Sequence, residues 1–209
     1  MKAQLLCLVA ILVLSIKGEL SAQFQDCNTA QVLCTKDPVV VNSVTGPGNF
    51  EDVMNNSCFE DQEHQSHWFT FYATKTGTFE FSIKPDGYLA DYDFAMWEGG
   101  CPGTPGSSEV ACNWLGAVVV PPYFATGVAT DPAASFGEGS SLEFINTIQV
   151  NAGQVYYLLV DNIPANGKGF TIYFNGTAEI GNPELSFTAG VFCNQSSQDL
   201  KTIKVEGLD

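Results

Sequence analysis

Apolar and polar residues alternate along most of the chain, with a period of two residues instead of the 3.6 of a helix. The stretch 77–84 places Phe79, Phe81 and Ile83 on one face and polar side chains on the other. The stretch 169–175 repeats this pattern. Both are predicted to be half-buried antiparallel strands.

The remaining pattern predicts further strands and no long helix. Stretches 66–72 and 154–160 are apolar on both faces, which is typical of central strands. Turns rich in Gly, Pro and Asn, such as 85–87 and 166–169, separate the strands. Shorter strands are predicted at 39–41, 92–97, 110–114 and 143–150. Many short strands in one domain predict an all-β fold, an antiparallel β-sandwich or jelly roll.

The N-terminus has the pattern of a cleaved secretory signal peptide, which we assign to residues 1–22. Lys2 precedes an apolar run at 5–16, shorter than the ~20 residues that a membrane-spanning helix needs. Ala22 is the small residue before the expected cut, and a retained N-terminal anchor is the alternative. No later stretch is apolar enough to insert into a membrane, so the protein is expected to be secreted or on the cell surface.

The rest of the chain divides into a module and a tail. Residues 23–180 carry the strand pattern and are predicted to form one β-sandwich module, since a single domain of this size is common. Residues 181–209 contain a short alternating stretch at 201–205. They are predicted to be a tail or the start of a following β domain. The chain is therefore expected to be part of a larger multidomain protein.

Cysteine usage predicts a disulfide-stapled fold. Loss of the signal peptide removes Cys7 and leaves six of seven cysteines, an even number that indicates disulfides in an exported chain. Cys101 and Cys112 flank a turn-forming stretch and are predicted to staple a hairpin. Zinc is the alternative use of cysteine, but no C-x-x-C pair is present. The second predicted pair is Cys34 with Cys58, which leaves Cys27 and Cys193, and the sequence alone does not choose among the possible pairings.

The charge of the chain excludes some partners. The formal net charge is −15, and the sequence contains no arginine and no lysine cluster. Nucleic acid is therefore excluded as a partner, and anionic membrane surfaces are disfavoured. Strong acidity suits solubility outside the cell, or binding of a hard cation such as calcium.

An ordered series of motifs covers roughly residues 26–180. It resembles the N-terminal β-sandwich module of large secreted surface proteins of gliding bacteria, which continue into PKD repeats and a gliding-motility-associated C-terminal domain. The series is also similar in pattern to pre-peptidase C-terminal and CUB domains. The resemblance implies an exported β-sandwich without an assigned catalytic activity. The motifs are Asp26-Cys27, Gly46-Pro-Gly48, Glu63-His-Gln-Ser66-x-Trp68, Gly77-Thr-Phe79, Asp91-Tyr-Asp-Phe-Ala-Met-Trp97, Ala152-Gly153 with Tyr156-Tyr-Leu-Leu-Val-Asp-Asn162, and Gly176-Thr-Ala178.

Oxygen-bearing side chains at predicted strand ends are candidate calcium ligands. Asp91 and Asp93 share one face of a strand, and Asp161 and Asn162 close the most apolar strand. Glu63 precedes another central strand. CUB domains, which the chain resembles, hold calcium among a strand-entry glutamate and loop aspartates. The alternative is that Asp91, Asp161 and Asn162 cap turns by accepting backbone N–H groups.

The sequence offers no complete catalytic set. His64 and His67 are three residues apart, on opposite faces of a strand, so joint metal binding is awkward and a structural or surface role is favoured. A G-x-S-x-G motif between strand and helix is also missing. We therefore predict a protein that is not an enzyme.

Aromatic residues give the last indication of function. They form either an exposed platform for sugar rings or part of the core. We predict a secreted or cell-surface binding or adhesion module, with calcium as a candidate stabilising ion, whose partner is a surface glycan or protein. The alternative is an accessory, carbohydrate- or substrate-binding domain of a secreted hydrolase. The candidate aromatic residues are Tyr72, Trp97, Trp114, Tyr123, Tyr157 and Tyr173.

Overall fold

Twelve strands, the short α-helix α1 Pro132–Phe136 and a 3-10 turn at Cys27–Thr29 account for the regular structure in the part of the chain that the computed structural model describes: residues 24–53, 57–59, 62–87, 89–114, 125–137 and 143–181. The strands form two packed sheets, which confirms the predicted β-sandwich. The strands are β1 Gln31–Val32, β2 Val39–Val41, β3 Ser66–Lys75, β4 Gly77–Pro85, β5 Tyr92–Glu98, β6 Ser108–Asn113, β7 Thr126–Val128, β8 Phe144–Ile145, β9 Ile148–Val150, β10 Val155–Asn162, β11 Phe170–Asn175 and β12 Glu179–Gly181.

Each sheet contains six strands. Sheet A has the order β1-β3-β10-β5-β6, with β12 also paired to β3. Sheet B has the order β2-β11-β4-β7-β8, with β9 also paired to β4. The pairings are antiparallel except β1 with β3 and β7 with β8, so both sheets are mixed.

The main core lies between the two sheets and follows from the alternating pattern. Phe79, Phe81 and Ile83 of β4 are fully buried against sheet A. The ring of Phe81 meets that of Phe94 edge-on, with centroids 4.9 Å apart. Full burial of one such side chain stabilises the fold by roughly 1.5–3 kcal/mol, so the contacts between β4 and sheet A hold the two sheets together.

The other face of sheet A is covered as well, which explains why β3 and β10 are apolar on both faces. Trp68 and Trp97 pack with their ring centroids 5.4 Å apart. Cys27, Val53 and Phe59 bury these rings. We call the segments 24–30, 49–53 and 57–59, with the side chains beneath them, the outer layer.

Two disulfides fasten the outer layer to sheet A. Cys27 is bonded to Cys101 in the β5–β6 loop, and Cys58 is bonded to Cys112 on β6, with Cα separations of 5.9 and 6.1 Å. Cys34 is also disulfide-bonded. Disulfide bonding is therefore confirmed, but the predicted pairs Cys101–Cys112 and Cys34–Cys58 are wrong, since Cys27, Cys58, Cys101 and Cys112 pair among themselves.

The hairpin geometry explains the error. Glu98 pairs with Ser108, so Cys101 lies in the loop beyond the paired residues while β6 continues away from that loop to Cys112. The four residue-to-residue steps from Ser108 to Cys112 span roughly 13 Å. The predicted staple would have to cross that length, whereas the outer layer lies directly over both cysteines.

Residues 115–142, between the predicted strands 110–114 and 143–150, contain structure that the alternating pattern did not indicate. Their described part holds β7 and α1 Pro132–Phe136. Asp131 caps the helix, accepting a hydrogen bond from Ala134 N at 3.1 Å, and Gly137 ends it with φ of 71°. This is the usual sequence of cap, first-turn proline and terminal glycine.

The two predicted terminal segments lie outside the described residues. They are the signal peptide at 1–22 and the tail at 181–209 beyond Gly181, which includes Cys193. None of the helices in the described ranges has the length and apolar character that a membrane-spanning helix requires.

The first prediction concerns the disulfides. A non-reducing peptide map of the mature protein should join Cys27 to Cys101 and Cys58 to Cys112, and a third linked peptide should contain Cys34. A peptide joining Cys101 to Cys112 would show that the outer layer is not fastened as described.

Candidate functional site

Four connecting segments lie at one end of the sandwich, which we call the loop end: 42–50, 62–65, 86–91 and 163–169. Strand register places the described residues of these segments, which exclude residue 88, together. β3 begins at Ser66 opposite Asp161 near the end of β10, and Asp161 lies opposite Asp93 near the start of β5. In sheet B, Pro85 at the end of β4 lies opposite Phe170 at the start of β11. Loops held at one end of a rigid sandwich are a common place for binding residues.

Asp161 joins this end of sheet A to the segment before β3. Its side chain is fully buried, and it accepts hydrogen bonds from His64 N at 3.0 Å and Gln65 N at 2.8 Å. Ser66 Oγ donates to the same carboxylate at 3.2 Å. Burial raises the pKa of Asp161, and the hydrogen bonds from His64 and Gln65 oppose that rise. The geometry at Asp161 is that of a turn cap.

Asn162, Gln65 and Asn166 connect the loops to one another. Asn162 Nδ2 donates to Gln65 Oε1 at 3.1 Å and to Asn166 Oδ1 at 3.0 Å. Asn166 Nδ2 in turn donates to Leu89 O at 2.7 Å. Three of the four segments are therefore tied by side-chain amides. Asn162 Oδ1 is buried and accepts no hydrogen bond from the described residues.

Glu63 sits beneath the outer layer. Its side chain is 5% exposed, and it accepts hydrogen bonds from Asp52 N at 2.7 Å and from Trp68 Nε1 at 3.1 Å. Burial is the main cause that raises the pKa of Glu63 to about 7. Asp52 in turn contacts the N-terminal segment, since its Oδ2 accepts a hydrogen bond from Cys27 N at 2.7 Å.

The five predicted calcium ligands occupy the same end of the fold but do not converge. Among the described residues, no three of Glu63, Asp91, Asp93 and Asp161 have carboxylate oxygens within 4.8 Å of one another. Asp93 lies directly across from Asp161 and is buried. Burial raises the pKa of Asp91 to about 6, and the charge of Asp91 acts on Glu143. Calcium binding stays a prediction, and it requires these side chains to move.

The described residues contain one cluster with metal-type side chains in ligand reach, formed by Cys58, Glu109 and Cys112. The two cysteines are bonded to each other, so they offer no thiolate to a metal. Glu109 instead accepts a hydrogen bond from Cys58 N at 3.3 Å. This cluster stabilises the outer layer.

The two histidines differ in environment. His67 is buried between Phe69 and Phe170, and burial lowers its pKa to about 3, so the ring is neutral. Its Nε2 lies 2.8 Å from Gln31 Oε1. His64 Nδ1 lies 3.0 Å from Asp161 Oδ2. Both contacts position the start of β3, in line with the structural role that the sequence favoured.

A shallow pocket of about 500 Å³ opens on the loop end. It is polar, and its neighbour Leu89 is 62% exposed. Ala165, in the segment 163–169, has φ of 49°, a strained value for a residue with a side chain and a feature often found at functional sites. The residues that carry the pocket's chemistry are Asn42, Asp86 and Lys168, with the backbone of Gly87, Gly167 and Gly169.

The candidate aromatic platform is divided by the fold. Trp97 is buried, and Trp114 and Tyr157 pack against the outer layer. Tyr72 of β3 and Tyr157 of β10 are half-buried on the outer face of sheet A, at diagonal positions of these two paired strands. Tyr173 is 40% exposed on sheet B. Tyr123 lies outside the described residues.

The pocket residues do not stand out in the sequence, although two of the turns that contain them do. The turns 85–87 and 166–169 were predicted only as strand separators. Since β4 and β11 are antiparallel neighbours, the turn that follows one meets the turn that precedes the other. The information that was missing is the pairing of β4 with β11.

Searches against protein-family models, curated proteins and solved structures find no match to this chain.

The second prediction concerns Glu63. Because the pKa is raised from 4.5 to about 7, the folded state binds an extra proton between these values, and its stability falls as pH rises through this window. Glu63→Gln cannot ionise at this position, so it does not lose this stability as pH rises. The difference in unfolding free energy between the variant and the wild type should therefore shift in favour of the variant by about 3 kcal/mol across the window, at ~1.36 kcal/mol per pKa unit. Urea unfolding at a series of pH values measures this difference.

Glu179→Gln, at an exposed glutamate of β12, is the matched control. Its curve of unfolding free energy against pH should run parallel to that of the wild type. Parallel curves for Glu63→Gln would contradict the buried, protonated state of Glu63. Calcium held by Glu63 would favour its ionised form. Millimolar calcium should therefore flatten the wild-type slope if Glu63 is a ligand, and leave it unchanged if it is not.

Proposed function

We propose that this protein is a secreted or cell-surface recognition module that binds a surface glycan or protein through its loop end. The observation that carries the proposal is the fixed convergence of four loops on a rigid scaffold. A binding surface whose loops are already ordered loses less conformational entropy when a partner binds.

The exposed groups at this end support the proposal. The Leu89 side chain is exposed, and its backbone is fixed by the hydrogen bond that Leu89 O accepts from Asn166 Nδ2. Phe50, in the segment 42–50, is 60% exposed, and Asp26 fixes its backbone by accepting from Phe50 N at 2.9 Å. Apolar side chains on ordered backbone beside polar groups are typical of recognition surfaces. In this proposal, calcium would add stability by linking the loops.

A second candidate function is an accessory carbohydrate-binding domain of a secreted hydrolase. The observation that favours it is the half-buried pair Tyr72 and Tyr157 on the outer face of sheet A. Tyr72 lies opposite Val155 and Tyr157 lies opposite Thr70, so the two tyrosines are diagonal neighbours on adjacent strands. Aromatic side chains on a sheet face offer a flat surface to sugar rings.

The third prediction separates these surfaces. The wild type should bind an envelope fraction of the producing organism, measured with fluorescently labelled protein together with a panel of polysaccharides and extracellular matrix proteins. Leu89→Ser should weaken that binding by about tenfold, because it removes an apolar contact from the loop end.

Val40→Ser is the matched control. Val40 is 61% exposed, close to the 62% of Leu89, but it lies within β2 instead of the loop end. Equal binding by the Leu89 and Val40 variants would contradict a role for the loop end. Loss of polysaccharide binding in Tyr157→Ala, with Leu89→Ser unaffected, would favour the accessory domain.

A further inference from the structure

The pocket at the loop end has a specific set of polar groups. It lies between the turn after β4, the segment before β11 and Asn42 after β2. Asp86 contributes a carboxylate, Lys168 an ammonium group and Asn42 an amide. Much of the remaining lining is backbone at Gly87, Gly167 and Gly169.

The walls of the pocket are fixed by hydrogen bonds. Asp86 N donates to Gly169 O at 2.8 Å, which ties the two turns together. The buried Tyr92 hydroxyl donates to Lys168 O from the core side. A side chain at position 169 would not fit, because a Cβ there would lie 2.0 Å from Val41 O.

Two of the glycines that line the pocket leave free space above their backbone. Gly87 and Gly167 both have positive φ, of 115° and 71°. Apart from its chain neighbours, a Cβ built at either position would meet no atom of the described residues within 4 Å. As far as the described residues show, the space above both turns is open to a ligand, and the backbone there can be approached closely.

The charges of the pocket select a class of ligand. Asp86 and Lys168 have opposite charges, so the pocket itself has little net charge, while the chain as a whole carries −15. Long-range repulsion from the chain disfavours an anionic ligand. A carboxylate accepts hydrogen bonds, an ammonium group donates them, and an amide does both. A neutral molecule with several neighbouring hydroxyl groups satisfies all three.

We propose that this pocket binds a neutral sugar unit of a glycan, with Asp86 accepting from adjacent hydroxyl groups and Lys168 and Asn42 binding hydroxyl oxygens. Leu89, on the same loop as Asp86, offers an apolar contact at the rim. This inference rests on the proposed function and names the ligand class of the loop end.

The fourth prediction tests the pocket directly. The mature, isotope-labelled protein is titrated in NMR experiments with millimolar methyl glycosides of glucose, galactose and mannose, and with the corresponding uronic acids. At least one neutral glycoside should shift the amide signals of Gly87, Gly167 and Gly169. Asp86→Asn should weaken that binding by about tenfold, since it replaces a charged acceptor.

Asp37→Asn is the matched control, because Asp37 is an exposed aspartate before β2, at the far end of that strand from Asn42. It should bind as the wild type does. Equal affinities for the two variants, stronger binding of a uronic acid, or shifts confined to other residues would overturn the proposal.

The result also separates this inference from the proposed function. If none of the sugars shifts the three glycine amides while Leu89→Ser still binds the envelope fraction less well than Val40→Ser, the sugar assignment is overturned and the recognition surface stands. If Leu89→Ser and Val40→Ser bind alike, the recognition surface itself is overturned.

Discussion

The arrangement of the loop end depends on one buried carboxylate. Asp161 is fully buried in sheet A and accepts backbone hydrogen bonds from His64 and Gln65. A buried charge without partners would cost several kcal/mol, so the segment before β3 is held where its N–H groups meet this side chain. Gln65, fixed in this way, then accepts from Asn162 Nδ2 and Gly167 N. The segment 163–169, which lines the pocket, is positioned through that contact.

The same principle operates in the outer layer. The chain has 23 acidic residues and 8 lysines, so cations are too few to neutralise every buried acid. Backbone N–H groups take their place. Asp26 accepts from Asn49 N at 2.7 Å, and Asp52 accepts from Cys27 N. These contacts pin the N-terminal segment over Trp68, and the Cys27–Cys101 disulfide holds it there.

The alternating pattern predicted most of the sandwich because each half-buried strand shows its inner face directly. The strand predicted at 39–41 matches β2, and 92–97 falls within β5. The predicted strand at 143–150 is two strands, β8 and β9, which belong to different pairings in sheet B. Two-residue β1 was missed, because its pairing with β3 is non-local and its pattern is too short to detect.

The candidate site was only partly predictable. The sequence placed Glu63, Asp161 and Asn162 at strand ends, and the alternative that Asp161 caps a turn describes its contacts in the structure. Cysteine pairing was not predictable, since it depends on how the outer layer folds over sheet A. The pocket residues Asp86 and Lys168 belong to separate turns, and only strand pairing brings them together.

The fifth prediction, and the most direct test of the central role of Asp161, is hydrogen exchange of the backbone amides in Asp161→Asn. Asparagine has nearly the same shape but only one acceptor oxygen and no charge. We predict that the amides of His64 and Gln65 exchange about tenfold faster in the variant, as expected for the loss of charged hydrogen bonds. Amides paired between β4 and β11 should keep their protection. Unchanged exchange at His64 and Gln65 would contradict the account, because the loop end would then be held by other contacts.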